Sequence, residues 1–339
     1  MFEFKNSFTQ FEKIHSKSII DNDHDEPPFL SILIPTYRRP GLLIESVRSA
    51  LNQTTDVNYE IVVVDNEQDP QWSSQVDEEL RALQSRKVRL FRNNENLGMF
   101  GNWNRCIELS RGKWISILND DDLLASNFLS TSLRLIHQYP EAKLIQTGFA
   151  SFSQESESAL RSLSSREKME RVSRFSFVQL SLGNPRAGCL ATLYDREAAI
   201  KLGGFNPEHF PTADVIFNMR FLLAKHLAYE TDKPCALYRV QENESQKPQV
   251  LAGFIKNDFL MRLEAAELFR FPFFMKIYAR IILTSQLNYL EHTWQSRIDR
   301  DLLPAQLWRY ISRSKSAWLI SKIFTKLIYK VIQAVEEKL

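Results

Sequence analysis

Cysteine is scarce in this chain, which contains three in 339 residues: Cys106, Cys189 and Cys235. Because they are odd in number and far apart, they do not fit the disulfide framework of a small secreted domain. None has the CxxC spacing of a metal site. The first ten residues also lack the basic cluster and apolar run of a secretory signal. We therefore expect a reducing, cytoplasmic location.

Glycine-rich nucleotide-binding loops are missing as well. The first predicted strand, residues 29–34, ends at Pro35 and is followed by no GxGxxG motif, and GxxxxGK[ST] does not occur. A dinucleotide-binding fold and a P-loop enzyme therefore lose their usual sequence support. The composition, with 44% hydrophobic and 25% charged residues, is that of a globular protein. We expect one large domain with an appendage.

Strand and helix patterns alternate along the first 120 residues. Near-continuous apolar segments such as 59–64 are typical of parallel strands that are covered on both faces. This alternation predicts an α/β protein with a doubly wound, mostly parallel sheet and right-handed crossovers. The predicted strands are 29–34, 59–64, 88–91 and 114–118, and the predicted helices are 41–51, 72–83 and 100–109.

Three adjacent carboxylates, Asp120, Asp121 and Asp122, follow the fourth predicted strand. Like charges raise one another's pKa, and a bound cation relieves this; oxygen ligands suit Mg²⁺ or Mn²⁺. A solvated acidic turn that caps the next helix is the alternative. Because ligands of open parallel sheets bind beyond the carboxyl ends of the strands, we expect this cluster to share one crevice with residues 35–38 and Asp65.

Five motifs follow one another along the first half of the chain: PTYR at 35–38, the helix segment 46–54, IVVVDN at 61–66, NENLG at 94–98 and LNDDD at 118–122. With these motifs the chain resembles the family 2 glycosyltransferases, which have the GT-A fold. The resemblance covers about residues 29–245 and rests on motifs in the family's order and at its intervals. It implies a GT-A catalytic domain at 29–248, preceded by an N-terminal arm at 1–28 and followed by a helical region at 249–339. The arm pattern suggests a helix or a packing arm.

The resemblance assigns a nucleotide-binding role to the first half of the domain. Tyr37 would stack on uracil, and Asp65 would accept a hydrogen bond from the ring N–H. Asp120 would lie by the ribose. The packed loop aromatic is the alternative for Tyr37. The remaining residues implied to contact the nucleotide are Pro35, Thr36, Arg38, Asn96 and Asn104.

The same resemblance places the divalent metal, Mg²⁺ or Mn²⁺, on Asp121. Asp122, expected at the start of the next helix, is the second candidate ligand. Two departures are visible: Asn119 replaces the first carboxylate of the usual D-x-D, and Trp103 replaces an Arg of the family. The metal would therefore rest on fewer charged ligands.

The second half of the domain is expected to supply the acceptor side. Asp214 matches the position of the family's general base. The reaction needs a carboxylate there, opposite the leaving diphosphate, to remove the proton of the acceptor hydroxyl. A helix N-cap is its alternative role. Arg186, Arg239 and Gln241 are the candidates for phosphate or acceptor contacts. Gln241 replaces a histidine of many relatives, so Arg239 is the better candidate for neutralising phosphate.

Together these residues imply an inverting transfer of a sugar from a nucleotide-sugar, expected to be a UDP-sugar, to a hydroxyl of a saccharide or lipid-linked saccharide. Two alternatives remain at this stage: a catalytically silent interaction module and a sugar-phosphate nucleotidyltransferase. The latter normally needs a glycine-rich first loop, which residues 35–40 lack. No nucleic acid partner is expected.

The C-terminal third is the basic part of the chain. Residues 251–339 contain 14 Lys and Arg against 8 Asp and Glu, whereas the first 250 residues contain 29 against 33. A helix predicted at 304–335 places Lys322, Lys326 and Lys330 on one face and apolar residues on the other. This predicts peripheral binding to an anionic membrane, on the inner face of the cytoplasmic membrane, as in capsule or lipopolysaccharide assembly. Docking on the catalytic domain or on a second subunit is the alternative.

Overall fold

The computed structural model describes residues 1–22, 26–153, 155–164, 170–183, 188–240, 246–270, 272–293 and 295–336. Its strands are β1 (Ser16–Ile20), β2 (Leu30–Thr36), β3 (Tyr59–Asp65), β4 (Val88–Asn93), β5 (Trp114–Ile117), β6 (Leu123–Leu124), β7 (Ala142–Phe152), β8 (Val172–Arg174), β9 (Thr192–Asp195) and β10 (Leu227–Arg239). Its helices are α1 (Pro40–Leu51), α2 (Pro70–Ala82), α3 (Gly98–Leu109), α4 (Phe128–Gln138), α5 (Ser156–Ser164), α6 (Phe177–Leu182), α7 (Arg196–Lys201), α8 (Ala213–Leu223), α9 (Pro248–Ala266), α10 (Pro272–Thr293) and α11 (Lys315–Glu336).

The strands form one sheet in the order β1-β4-β3-β2-β5-β9-β7-β10-β6, with β8 added to β10. Strands β4, β3, β2 and β5 are mutually parallel, and we call them the parallel half. In the mixed half, formed by β9, β7, β10 and β6, only β7 and β10 are parallel neighbours. The expected mostly parallel sheet with flanking helices is confirmed. Every residue of β2 and β3 is buried, because helices cover both faces.

The first strand does not end at Pro35, as the sequence pattern suggests, but continues to Thr36. Pro35 pairs with Val64 of β3, whereas the pairing with β5 stops at Leu33. Proline is tolerated in this central strand because its missing N–H lies beyond the point where β5 has turned away.

The acidic residues lead into strand β6 and not into a helix, which corrects the expected position of Asp122. Leu123 and Leu124 pair antiparallel with β10 before α4 begins at Phe128. The loop that carries the carboxylates is therefore held between β5 on one side and β10 on the other.

The N-terminal segment also differs from the helical pattern. A short 3-10 turn spans Ser7–Phe11, and β1 then pairs antiparallel with β4. The ring of Phe8 packs close to Gly204, where an added Cβ would approach it to 2.9 Å. The arm thus contributes a strand to the sheet and an aromatic side chain to the core.

The C-terminal helices α9 and α10 belong to the same hydrophobic core as the sheet. Met261 of α9 and Tyr278 of α10 belong to the same apolar cluster as Phe217 and Phe221 of α8. Helix α11 begins only at Lys315, about ten residues later than the pattern predicts, and the Ser321 hydroxyl bonds to the Ile281 carbonyl of α10 at 2.6 Å. No helix in the described part of the chain combines the length and hydropathy needed to cross a bilayer.

Candidate active site

The acidic loop is tied to the end of β2 at the carboxyl edge of the parallel half. The Thr36 hydroxyl donates to Asp120 Oδ2 at 2.7 Å. Burial, and then the neighbouring Asp121 carboxylate, raise the pKa of Asp120 to about 7, against the opposing effects of Thr36 and Arg39. The structure therefore brings the first-strand loop and the acidic cluster into one crevice.

Asp121 is the carboxylate of this loop that reaches the open crevice. Its Oδ2 accepts from Arg39 Nη1 at 2.9 Å, and the same nitrogen lies 3.7 Å from Asp120 Oδ1. Its backbone carbonyl accepts from Arg239 Nε at 2.7 Å. The two arginines thus hold the loop at two points, one through a charged pair and one through the backbone.

Asp122 does not fit the metal-ligand role expected from the sequence. It is fully buried; Oδ1 accepts from the Arg239 backbone N–H at 3.0 Å, and Oδ2 accepts from the Asn119 amide at 3.0 Å. Burial, and then Asp121, raise the pKa of Asp122 to about 8. One oxygen therefore fastens the loop to β10 and the other bonds within the loop, which leaves Asp120 and Asp121 as the candidates to face a cation.

The acidic loop is the place where the divalent ion is expected. In the described residues no group of three or more His, Cys, Asp or Glu is arranged to hold a metal. Mg²⁺ commonly binds through one or two carboxylates together with substrate phosphates and water. Asp120 and Asp121, two carboxylates held close together by Thr36 and Arg39, fit that pattern.

Tyr37 and Arg38 form an exposed wall beside this crevice. The Tyr37 side chain is 40% exposed, and the Arg38 guanidinium lies 5.0 Å from the centre of its ring. Arg38 adopts a positive φ of 57° and pairs with Glu67 in the loop after β3. An exposed ring beside a guanidinium provides a stacking surface for a planar base.

Asp65 lies beneath that wall and orders the loop after β3. Its Oδ1 accepts from the Glu67 N–H at 3.0 Å, and its Oδ2 accepts from Arg92 Nε at 3.1 Å. The carboxylate is 1% exposed, and burial raises its pKa although Arg92 and the Glu67 N–H oppose the shift. In this conformation Asp65 shapes the loop and does not face the crevice.

The two candidate asparagines have different positions. Asn96 accepts from the Asn66 amide at 3.0 Å and from the Gly98 N–H at 2.8 Å, so it orders the loop that leads into α3. Asn104 is buried and bonds in both directions to the backbone of Phe205, each at 2.8 Å. This corrects the expected nucleotide contact of Asn104, whose amide holds the Gly203–Gly204 turn against α3.

Asp214 lies in the first turn of α8, where Thr212 is the N-cap residue. One carboxylate oxygen accepts from the Val215 N–H at 2.9 Å, and the other would lie 2.9 Å from a Cβ placed on Gly188. Burial raises the pKa of Asp214 to about 6, against its backbone hydrogen bonds.

Cys189 connects this carboxylate with the acidic loop. Burial raises the pKa of its thiol well above the usual range, and the charges of Asp214 and Asp122 add to the shift. Both carboxylates are therefore near the start of the segment that leads into β9. The distant Asp214 and the acidic loop lie at the same edge of the sheet.

The sequence profile of glycosyl transferase family 2 matches residues 31–203, just over half of the chain. The chain belongs to glycosyl transferase family 2.

Among curated relatives of this glycosyltransferase is the Campylobacter jejuni GalNAc(5)-diNAcBac-PP-undecaprenol beta-1,3-glucosyltransferase. It is 32% identical over 107 residues, which are 32% of this chain and 34% of that protein. The chain spans less than two thirds of the length of the first curated relatives that it matches, between 13% and 64% of three of them.

Two solved structures share the fold. The Staphylococcus aureus protein TarS, residues 1–349 in complex with UDP-GlcNAc, has a TM-score of 0.53 at 13% identity and covers 91% of both chains. The mannosyltransferase PcManGT of Pyrobaculum calidifontis, in complex with GDP-Man and Mn²⁺, has a TM-score of 0.53 at 16% identity and covers 97% of this chain and 91% of its own. At these identities the likeness establishes the GT-A type of fold.

Arg239 of this glycosyltransferase is not positioned as expected for a phosphate contact. It is buried, with Nε on the Asp121 carbonyl and Nη2 on Glu45 at 2.6 Å and on Ser156 at 3.0 Å. These bonds correct its role to one of holding the acidic loop. The candidates Arg186 and Gln241 lie outside the described residues.

Two features of this glycosyltransferase were missed in the sequence. Arg39 contacts the acidic cluster directly, and its position at the end of the PTYRR segment, in the loop after the first strand, was a usable signal. A cavity of about 1040 Å³ lies between α1, β6 and α5 and includes Arg48, Asn52 and Arg239 in its lining. It joins segments more than 100 residues apart, which no local pattern indicates.

Proposed function

We propose that this glycosyltransferase moves a sugar from a UDP-sugar to a hydroxyl of a saccharide acceptor, with inversion at the anomeric carbon and Asp214 as general base. The observation that carries the proposal is the placement of Asp214. One of its oxygens lies close to Gly188, and its charge acts on Cys189 together with that of Asp122 in the acidic loop. The UDP-GlcNAc of the TarS complex and the Mn²⁺ of the PcManGT complex support the donor class and the metal.

The chain's own residues account for the transfer as follows. Tyr37 and Arg38 hold the base, and Asp120 lies where the ribose would approach. The proton of the acceptor hydroxyl passes to Asp214 while the hydroxyl oxygen forms a bond to the anomeric carbon. The bond from that carbon to the diphosphate breaks, and its electron pair leaves with UDP. A divalent ion at Asp120 and Asp121 would neutralise charge on the diphosphate. A carboxyl with a pKa of about 6 is ionised at neutral pH and accepts the proton.

The test is product analysis with purified protein, Mn²⁺ and a panel of UDP-sugars and saccharide acceptors. We expect an NMR coupling constant that reports the anomeric configuration opposite to that of the donor. Asp214→Asn should lower kcat by about 10²- to 10⁴-fold and leave UDP affinity within about twofold. Asp56→Asn, a change on the exposed surface, is the control. Retention of configuration, or turnover that survives in Asp214→Asn, would contradict the proposal.

We further propose that α11 binds an anionic membrane that carries the acceptor. The apolar face of this helix is open, with side chains between 46% and 55% exposed, and Lys322, Lys326 and Lys330 lie beside it. Exposed apolar residues flanked by lysines fit lipid headgroups and the acyl boundary beneath them. The name of the Campylobacter relative includes an undecaprenol-linked saccharide, which supports an acceptor of this class. The exposed apolar residues are Leu319, Ile320, Ile323, Phe324, Leu327 and Val331.

Flotation with vesicles tests the membrane proposal. We expect the protein to float with vesicles that contain anionic lipid at low salt, and Ile323→Glu with Leu327→Glu to remain in the soluble fraction. The matched control is Leu260→Glu, since Leu260 is an exposed leucine of α9, away from this face. A wild-type protein that stays in the soluble fraction would contradict the membrane proposal. A dimer that is lost in the double variant would assign this face to a second copy of the chain.

A further inference from the structure

Arg39 occupies the place where a cation is expected at the acidic loop. Its Nη1 lies 2.9 Å from Asp121 Oδ2 and 3.7 Å from Asp120 Oδ1. These are the two carboxylates that remain for a divalent ion after Asp122 is excluded. In the free enzyme the chain's own guanidinium therefore neutralises the charge that the ion would neutralise in the donor complex.

The arginine is placed so that it can leave this position. Its side chain is 32% exposed, and the acidic loop provides its only hydrogen bond among the described residues. Arg239 and Arg92, by contrast, are more deeply buried and each has at least three partners. Movement of Arg39 therefore breaks one hydrogen bond, whereas movement of either of the others breaks a network.

A guanidinium and a divalent ion compete for the same oxygen of Asp121. When the ion binds, Arg39 needs another anionic partner, and the diphosphate of the donor enters the same crevice. Guanidinium groups bind phosphate oxygens well because their N–H groups match them in pairs. Arg39 is the N-cap residue of α1 and precedes Pro40, which restricts its backbone, so we expect the exchange to involve only the side chain.

We propose that Arg39 is an exchanging counter-ion: it pairs with Asp121 in the free enzyme and transfers to the donor diphosphate when the divalent ion takes the carboxylate. This rests on the proposed function, in which the metal binds at Asp120 and Asp121. The exchange makes metal and nucleotide binding cooperative. The ion alone must displace Arg39 without compensation, whereas the ion and UDP together give the guanidinium a new partner.

The experiment measures Mn²⁺ affinity, by EPR of the free ion, in the presence and absence of UDP. In the wild type we expect UDP to increase Mn²⁺ affinity. In Arg39→Gln we expect Mn²⁺ alone to bind about tenfold tighter, because a neighbouring positive charge is gone, and UDP to bind about tenfold more weakly when Mn²⁺ is present. Arg39→Lys keeps the charge and should bind Mn²⁺ alone within about twofold of the wild type.

Arg48→Gln is the matched control, since it removes the same charge from an exposed position of α1. It should leave Mn²⁺ affinity unchanged with and without UDP. If Arg39→Gln binds Mn²⁺ alone no more tightly than the wild type, the exchange is overturned while the metal site stands. If the wild type binds no Mn²⁺ even with UDP, the metal site of the proposed function fails, and the exchange fails with it.

Discussion

The parallel and mixed halves of the sheet build the site in different ways. In the parallel half, Thr36, Tyr37 and Asp65 are placed simply because β2 and β3 end there. In the mixed half, positions are set by contacts between distant segments, such as the bonds of Arg239 to Asp121 and Asp122 across more than 100 residues. In the proposed function the parallel half provides the surface for the nucleotide, while the mixed half fixes the groups that act on the sugar.

The acidic loop, which lies where the two halves meet, gives the largest expected contrast. Asp121→Asn should weaken Mn²⁺ binding in the presence of UDP by about 100-fold, because it removes the charged ligand. Asp122→Asn should change it by less than about threefold, since the new amide oxygen still accepts from the Arg239 N–H and the Asn119 amide can turn to accept from the new NH2 group. Equal losses in the two variants, measured by EPR, would assign Asp122 to the metal and remove the distinction drawn here.

The pH dependence separates the base from the nucleotide surface. With donor and Mn²⁺ saturating, kcat should be half-maximal near pH 6, level off about one pH unit higher and fall toward tenfold per pH unit at lower pH, because protonation of Asp214 removes the base. UDP affinity should not follow this curve. A kcat profile that is flat from pH 5 to 7 would show that another group accepts the proton.

Two glycines, one from each half, give a smaller contrast. A Cβ on Gly188 would lie 2.9 Å from an oxygen of Asp214, whereas a Cβ on Gly41 meets nothing within 4 Å. Gly188→Ala should displace the carboxylate and lower kcat by about tenfold with UDP affinity unchanged, and Gly41→Ala should alter neither quantity. If the kcat of Gly188→Ala equals that of the wild type, the base does not depend on this close approach.

The smallest expected effect on binding concerns Asn104. Asn104→Ala should lower the free energy of unfolding by about 2 kcal/mol, because two backbone groups of Phe205 lose their partners. UDP affinity should stay within about twofold, as measured by calorimetry beside a urea titration. A large loss of UDP affinity in a stably folded variant would return Asn104 to the nucleotide site.

The parallel half was predictable because its signals are local. Apolar runs followed by Pro35, Asp65 or Asn119 mark both the strands and the residues at their ends. The hydrogen bonds of individual side chains were not predictable. Asp122 and Arg239 resemble functional groups in the sequence, but in the fold Asp122 accepts from the Arg239 backbone N–H and the Arg239 side chain donates to the Asp121 carbonyl. The hydrogen bonds of Asn104 were not predictable for the same reason, since its partner Phe205 is about 100 residues away.

The mixed half was less accessible to sequence reasoning. Strand β6 has two residues and β10 has 13. Neither the lengths of these segments nor their hydrophobic patterns predict that they pair. The antiparallel position of β9 between β5 and β7 depends on the whole topology. The resemblance to the family, and not any pattern around it, identifies Asp214 as the candidate general base.

The order of the strands has a consequence for how these molecules behave at high concentration. A long, flat outer strand offers unpaired amides to a neighbour and promotes aggregation. Here one outer strand, β1, is short, carries Lys17 and has an irregular register, and another, β6, has only two residues, with the Leu124 N–H bonded to the Ser49 hydroxyl at 3.0 Å. Such edge strands disfavour pairing with a strand of a second molecule, so we expect no aggregation through these two edges at high concentration.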